Sequence, residues 1–319
     1  MRLGILMDPL HVLHPLKDST ITMITAAQNM GWECAYFTQH DLSFTHSSVS
    51  AKLKSIYIND KKSANWATTA ELGELPLTWC DILLMRKDPP FNMEYIVATY
   101  ALELAERAGV LVANRPQSLR DANEKIFTLR FPQCCPQTLV SQNITYLRDF
   151  WVTHRQVIYK PLTGMGGHSI FYVDEHGQNL PVILEELTCN GTVTIMAQQY
   201  IPDIKTVGDK RILLINGEPI PYALARIPAA DDFRGNLVAG ADGHVVKITE
   251  HDRWICQEIA TTLKERGLYF VGIDIIGDYL TEINVTSPTC ICEISAATGL
   301  DIAGDYLRVL AGMVSGLHL

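Results

Sequence analysis

The sequence predicts a chain of two characters, an α/β half built on a parallel sheet followed by an α+β half with mostly antiparallel pairing. Three observations predict it. Up to Ala113, short apolar runs alternate with helix-patterned stretches, the mark of strands and helices taken in turn. After Asn114-Arg115-Pro116 the apolar runs crowd together, and one pair brackets the turn dipeptide Asn216-Gly217, which favours a hairpin. At 319 residues the chain is about twice the usual domain size. A division near residue 122 is therefore expected, giving units 1–122 and 123–319.

Residues 3–7 are an apolar run that Asp8-Pro9 ends, a strand by its length. Asp18-Ser19-Thr20 offer N-cap oxygens to an amphipathic helix over 21–30, closed by Gly31. Strands are expected at 34–37, 81–85 and 110–113, with a helix over 93–108 stopped by Gly109. Residues 43–78 are polar and poorly periodic and read as irregular surface. Beyond 114 come a helix over 119–129, a linker at 131–136, a strand from Thr138, a helix over 144–154 and a strand at 157–160. A glycine-rich loop, a strand at 169–173, a helix and a strand at 193–198 follow. Strands at 211–215 and 221–226, a loop over 227–243, a helix over 250–266, a hairpin of 269–276 with 279–285, and helices over 289–297 and 302–317 complete the chain.

Apolar residues are 47% and charged residues 19%, the composition of a folded protein. No apolar run approaches the eighteen or so residues of a membrane span. The net charge of -9 argues against general nucleic-acid binding, which needs a cationic surface to displace counterions. The first eight residues lack the pattern of a signal peptide, and the eight cysteines contain no CxxC and no Cys/His zinc spacing. The expectation is a cytoplasmic protein with reduced thiols, no membrane and no nucleic-acid partner.

Three constellations carry chemistry. In the first, Lys160 ends a strand and the loop Gly164-Met165-Gly166-Gly167 joins it to the next. Glycines let successive N–H groups converge on phosphate oxygens, although a plain hairpin turn uses glycine too. Neither a Walker A loop nor a Rossmann fingerprint is present, since no Gly-Lys-Ser/Thr follows and a strand rather than a helix comes next. In the second, Asp274 lies near Glu282-Ile283-Asn284, whose alternate positions share one strand face. Hard oxygen donors suit Mg²⁺ beside phosphates, and the apolar neighbours of Asp274 make a merely solvated acidic hairpin the weaker reading. The third is a set of cations, Lys125, Lys160, Lys210, Arg211, Arg226 and Arg234, in a chain that is acidic overall. Together they describe a nucleotide–Mg²⁺ site with further anion-binding groups.

With these residues in view, the chain resembles the bacterial type of glutathione synthetase, an ATP-grasp ligase, over essentially its whole length. The resemblance rests on Met85-Arg86-Lys87-Asp88-Pro89-Pro90-Phe91, residues 114–121 with Asn123-Glu124-Lys125, residues 160–167, 196–198, 208–211 and 225–228, Arg234-Gly235-Asn236, and residues 271–278. It ends with Leu280-Thr281-Glu282-Ile283-Asn284-Val285-Thr286-Ser287-Pro288-Thr289-Cys290. The glycine loop and the Asp…Glu-x-Asn set mark ATP-grasp enzymes generally, whereas the first and last strings are specific to this family.

The resemblance implies an ATP-grasp fold behind an N-terminal substrate-binding domain, with a lid subdomain at about 137–200. It implies ligation of γ-glutamylcysteine and glycine through an acyl phosphate, with ADP and phosphate released. A ligase with another amine acceptor, or a nucleotide-binding module without turnover, is the alternative. By the same resemblance Lys125, Lys160, Asp209 and Lys210 meet ATP, Gly164, Met165, Gly166 and Gly167 cover its phosphates, and Gln198, Gln199, Tyr200 and Ile201 meet adenine. Asp274, Glu282 and Asn284 would hold two Mg²⁺ ions, with Mn²⁺ as a substitute, and Arg211, Arg226 and Arg234 would be catalytic. Ser287, Pro288 and Thr289 would hold the peptide, and Asp18, Ser19 and Arg86 would reach its γ-glutamyl end. Residues 227–243 correspond to a mobile lid loop, and a homo-oligomer (dimer or tetramer) is implied.

Two departures stand out. The family usually has Thr-Cys-Ile-Arg-Glu where this chain has Thr289-Cys290-Ile291-Cys292-Glu293, and Gly-Arg-Gly where it has Ala241-Asp242-Gly243. One geometric expectation follows from the metal set. Asp274 and Glu282 share a face only if the intervening turn has an odd number of residues, most simply Gly277-Asp278-Tyr279.

Overall fold

The computed structural model describes residues 1–317 except 47, 165, 230, 231, 233 and 236–239. The first part of the chain runs β1 (Arg2–Leu6), α1 (Ser19–Asn29), β2 (Glu33–Phe37), β3 (Leu42–Phe44), β4 (Val49–Ile58), β5 (Ala67–Pro76), β6 (Ile82–Met85), α2 (Met93–Arg107), β7 (Leu111–Ala113) and α3 (Pro116–Asp121). Strands β2, β1, β6 and β7 are neighbours in that order and all parallel, as the alternation of strand and helix predicts. Asp18 caps α1 by accepting the Thr20 and Ile21 N–H groups.

The region read as irregular, 43–78, instead supplies β3, β4 and β5, which extend the sheet with antiparallel pairing beyond β2. The physical reason it escaped detection is a bulge between Leu53 and Lys54. Val49, Ala51 and Leu53 are buried before it and Ile56 and Ile58 after it, so the two-residue period changes parity in mid-strand. Strand β5 is exposed along nearly its whole length and so carries no alternation at all.

A second sheet follows from β8 (Thr138–Ser141), α4 (Ile144–His154), β9 (Val157–Pro161), β10 (Phe171–Val173), α5 (Leu180–Leu187) and β11 (Ile195–Gln199). Its order is β10-β9-β11-β8, wholly antiparallel, and its core is its own: Leu147, Val157, Tyr159, Leu184 and Ala197 pack together. The helix expected over 119–129 is interrupted. Asn123 Oδ1 accepts the Lys125 and Ile126 N–H groups, a local side-chain bond that ends α3 and lets only a short 3₁₀ turn, Ile126–Arg130, form afterwards.

The third sheet comprises β12 (Asp209–Ile215), β13 (Glu218–Ile227), β14 (Asp242–Lys247), β15 (Phe270–Ile276) and β16 (Tyr279–Asn284), with α6 (Glu250–Glu265) between β14 and β15. Its order is β14-β13-β12-β15-β16, all antiparallel. Strand β14 was not expected; it is a mostly exposed edge that pairs Ile227 with Asp242, while the middle of the expected lid loop, residues 230, 231, 233 and 236–239, lies outside the described residues. Helices α7 (Ile291–Thr298) and α8 (Ile302–Leu317) end the chain, and α8 buries Ile302, Tyr306, Leu307 and Leu310 in the same core as Ile5 of β1 and Ile24 of α1.

One side chain fastens the first sheet to the third. Asn114, after β7, donates through Nδ2 to the carbonyls of Phe270 and Val285, both at 2.8 Å, while its Oδ1 accepts the Phe270 N–H at 2.9 Å. Among the described residues no helix is long and apolar enough to cross a membrane.

Candidate active site

A cavity of about 450 Å³ opens between the second and third sheets, against the loop after β6. The floor is one face of the third sheet. Arg211 is the cross-strand partner of Asp274, and Asp274 of Glu282; Arg226 faces Asp209, and Asn284 faces Gly272. Alternation along β12 sends Asp209 and Arg211 into the cavity and Lys210 to the opposite side.

Asp274 opposite Glu282 is as expected, but the turn that was to bring it about is not. Ile276 pairs with Tyr279 and Ile275 with Leu280, so the turn is the two-residue Gly277-Asp278. The odd residue is Thr281, bulged out between Leu280 and Glu282, its Oγ1 donating 3.1 Å to the Asp274 carbonyl.

The arginines are held by acids. Arg211 makes a two-pronged pair with Asp274, through Nε to Oδ1 and through a terminal nitrogen to Oδ2 at 2.8 Å. Arg226 reaches Asp274 Oδ1 at 3.0 Å and Asp209 Oδ2 at 2.5 Å. Burial pushes the Asp274 carboxyl up, yet the two guanidiniums outweigh it and hold the group at about 2. Asp209 goes the other way, to about 7, because its burial and the charge of Asp274 prevail over Arg226. One Asp209 oxygen, Oδ1, is buried with no partner among the described residues. Two glycines make this packing possible. A Cβ on Gly272 would lie 2.9 Å from Arg211 Cδ, and one on Gly235, in the loop after β13, 2.6 Å from Asp209 Cβ.

The lysines come from the other side. Lys160, on β9, is buried and donates to Gln198 Oε1 at 3.2 Å, and burial pulls its ammonium below the usual lysine range. Lys125 is buried too, but Glu124 at 2.6 Å and Glu282 at 3.8 Å more than offset its desolvation and raise it. Its Nζ also reaches the Gly164 carbonyl at 3.4 Å, tying the floor to the glycine loop. In that loop Gly164, Gly166 and Gly167 all have positive φ and line the cavity; Met165 lies outside the described residues.

The cavity wall also includes Gln198, Gln199, Tyr200, Ile201, Arg234, Ser287, Pro288 and Thr289. The Gln199 and Tyr200 N–H groups, however, are already spent on the carbonyls of Gln137 (2.9 Å) and Gln156 (3.0 Å), so the backbone donors of this stretch are fewer than expected. Arg234 is paired with Asp232 at 2.7 Å in the loop after β13; Asn236 of the same motif lies outside the described residues.

Four expected site residues are placed elsewhere. Lys210 turns to α6 and pairs at 2.5 Å with Asp252, which is fully buried. Asp18 is spent on capping α1, and the buried Ser19 accepts the Ile291 N–H at 3.4 Å. Arg86 lies behind the wall, donating to Thr20 Oγ1 at 3.1 Å and to the Pro288 carbonyl at 2.9 Å, so it braces the peptide-side loop without lining the cavity. Conversely, Asp88, Phe91, Asn123 and Glu124 line the cavity and were not singled out, although all four fall inside the strings that carried the resemblance. The two departures lie outside the cavity wall. Cys292 Sγ is 3.2 Å from Thr22 Oγ1, to which Lys61 Nζ donates at 3.1 Å, and Asp242 pairs with His244 on β14.

Oxygen donors fit a magnesium ion here. Glu282 and Asn284 project from one face of β16 beside Asp274, and a carboxylate with an amide oxygen is a hard donor set. Among the described residues no group of three or more His, Cys, Asp or Glu is arranged as a metal cluster, so the amide would be needed.

Buried lysines under a glycine loop, facing an acid-held pair of arginines across a two-sheet cleft, define an ATP-grasp ligase, and the family model for the ATP-grasp domain of prokaryotic glutathione synthetase matches residues 124–307. The model for the N-terminal domain of the same enzymes matches residues 1–120. The chain belongs to the prokaryotic glutathione synthetase family. It is 53% identical to the glutathione synthetase of Pseudomonas putida over 310 residues, 97% of either chain, and 50% identical to that of Escherichia coli K12 over 97% of this chain and 98% of the other. Among solved structures the fold is shared with the D-cycloserine synthetase DcsG, at a TM-score of 0.67 and 13% identity over 98% of this chain and 100% of the other. It is also shared with the ATP-grasp ligase PsnB, solved with a precursor variant, Mg and ADP, at 0.65 and 16% over 98% of each.

Proposed function

We propose that this chain joins γ-glutamylcysteine to glycine at the expense of ATP, and that the cavity between the second and third sheets is where it does so. The observation that carries the reading is the convergence of Lys125 and Lys160 with Arg211 and Arg226 on one enclosed space. Three anions must meet for this reaction: the triphosphate, the cysteinyl carboxylate and the carboxylate of glycine. A protein that brings them together needs fixed cations more than a nucleophile of its own.

The cysteinyl carboxylate oxygen attacks the γ-phosphorus, the bond to the β–γ bridging oxygen breaks, and ADP leaves. The glycine amine then adds to the carbonyl carbon of the acyl phosphate, phosphate departs and the amine loses its proton. Lys125 and Lys160 hold the phosphates under the glycine loop. Arg211 and Arg226, already oriented by Asp274 and Asp209, stabilise the charge on the transferring group and on the carboxylate it joins. Arg234 adds a further cation from the loop after β13, and Gly164, Gly166 and Gly167, which line the cavity, would cover the acyl phosphate against water. Ser287, Pro288 and Thr289 flank the peptide. Asp274, Glu282 and Asn284 would hold Mg²⁺, which when bound supplies charge neutralisation to the phosphates. The adenine lies against Gln198–Ile201, with the Ile201 N–H as the first candidate donor.

The same reading divides the chain near residue 122 and treats it as a cytoplasmic homo-oligomer. Mixing the protein with ATP, Mg²⁺ and γ-glutamylcysteine tests the activity. Phosphate release that requires glycine, with glutathione formed in equal amount, supports it. Release that responds only to another amine makes the chain a ligase of different acceptor, and ATP binding without release makes it a binding module.

A further inference from the structure

Five carboxylates line the cavity: Asp88, Glu124, Asp209, Asp274 and Glu282. Four of them have a cation. Glu124 and Glu282 are on Lys125, at 2.6 and 3.8 Å, Asp209 is on Arg226, and Asp274 is on Arg211 and Arg226. Asp88 alone makes no ion pair among the described residues, although the two residues before it are both cations. Lys87 Nζ pairs with Asp8 at 2.8 Å and donates to the main-chain carbonyl of Asp88 at 2.6 Å, and Arg86 is committed to Thr20 and the Pro288 carbonyl. The chain thus places an anion in the wall with whose carboxylate neither neighbouring cation forms an ion pair.

The carboxylate is half-buried, beside the Ser287 hydroxyl, and the charges that act on it are Arg86, Asp8 and Asp18. Ser287 belongs to the loop of Ser287, Pro288 and Thr289, which Arg86 braces through the Pro288 carbonyl, so Asp88 stands on that side of the cavity. Burial holds it above the ordinary carboxylate range, the condition of an anion still lacking a counter-ion.

A ligand group suited to that spot is a primary ammonium. We propose that Asp88 recognises the free α-ammonium of the γ-glutamyl end of the peptide substrate, an assignment that rests on the reading of this chain as a γ-glutamyl peptide ligase. The other amine in the reaction, that of the acceptor, must lose its charge to attack and must stand at the arginine end, so an anion holding it as ammonium would oppose the chemistry. The γ-glutamyl ammonium is the cation farthest along the peptide from the carboxylate that Arg211 and Arg226 receive. Asp88 is therefore a specificity residue: it decides which carboxylates are presented for phosphorylation and takes no part in the transfer.

The test crosses an enzyme change with a ligand change. Wild type and Asp88→Asn are each assayed, by glycine-dependent phosphate release, on γ-glutamylcysteine and on glutarylcysteine, which lacks only the ammonium. Wild type should lose about 100-fold in kcat/KM on the second compound, the usual scale for one desolvated charge pair. Asp88→Asn should lose about as much on γ-glutamylcysteine, mostly in its KM, prefer it over glutarylcysteine by less than about fivefold, and keep its KM for ATP. A variant that preserves the wild-type preference overturns the proposal, as does a wild type that uses the two peptides equally. Should the variant fail to fold, the wild-type comparison still decides, with γ-aminobutyrylcysteine, which lacks the α-carboxylate instead, as a third ligand; a greater loss on that compound than on glutarylcysteine also counts against Asp88. A wild type that turns over with neither γ-glutamyl peptide nor glycine overturns the functional reading itself, and Asp88's role with it.

Discussion

Glu282 stands directly across from Asp274 because Thr281 is bulged out of the ladder between them. The bulge restores by one extra residue what a two-residue turn would otherwise reverse, and so both acids face the cavity. Glu282→Gln keeps the size and removes the charge. It should raise the Mg²⁺ concentration for half-maximal activity at least tenfold while leaving the thermal midpoint within a few degrees, as a Mg²⁺ titration of initial rates would show.

Lys160 is a buried cation with a neutral partner, Gln198, and no acid within ion-pair distance among the described residues. Without nucleotide it is a destabilising group, as its lowered pKa reflects. Lys160→Met should therefore make the ligand-free protein more stable and yet abolish most of the stabilisation that ATP confers, with turnover down by about 100-fold or more. Melting curves with and without ATP read both signs; a variant that ATP protects as well as it does the wild type would dissociate Lys160 from the nucleotide.

Lys210 should behave in the reverse sense. Its partner Asp252 is fully buried and also accepts the Thr249 N–H at 2.8 Å, so Lys210→Met strands a carboxylate inside the protein. A loss of about 3 kcal/mol in urea unfolding is expected, with the KM for ATP unchanged.

The carboxyl of Asp209, at about 7, gives a pH signature. Its folded pKa lies above the unfolded one near 4, so the native state keeps a proton that the unfolded chain has released. Stability therefore falls as pH rises between about 4 and 7. Asp209→Asn removes this slope. The variant should gain on the order of 2 kcal/mol relative to wild type on going from pH 5 to pH 8, and denaturation at the two pH values measures it. Asp274, held at about 2, has the opposite sign and loses its contribution only as pH falls from about 4 towards 2.

Cys292 stands where the resemblance implies an arginine, and Lys61 supplies a cation beside it through Thr22. Cys292→Arg would set two cations against one hydroxyl. It should destabilise the chain when Lys61 is present and much less in a Lys61→Ala background, with a coupling of about 1 kcal/mol between the two changes. Additive effects in that double-mutant cycle would mean that Lys61 does not replace the missing arginine.

How much of this was legible varies by element. The helix over 144–154 and the parallel strands had clean periods and defined caps, and both are where the pattern put them. Strand β4 had the right residues, but its bulge split the pattern into two short stretches of opposite parity. The motif residues were legible as a group, since Lys160, Gly164, Gly166 and Gly167 do line one cavity. Which face each residue would take was not. Lys210 and Arg211 are adjacent cations in the sequence, and only the register of β12 separates a prop for α6 from a group in the cavity. Asp88 carried no signal of its own, because the partners that Arg86 and Lys87 take are visible only in the structure.

The Asn114 amide, bonded to Phe270 and Val285, also sets how the molecule divides when it moves. It replaces a missing strand at the seam between the first and third sheets, and the buried residues of α8 cross the same seam. Those two sheets consequently share their cores and form one mechanical block. The sheet of β8–β11 keeps its core to itself among the described residues. Any movement that widens the cleft would therefore be expected to carry this sheet as a unit, with the bending confined to the short stretches around residues 131–137 and 200–208.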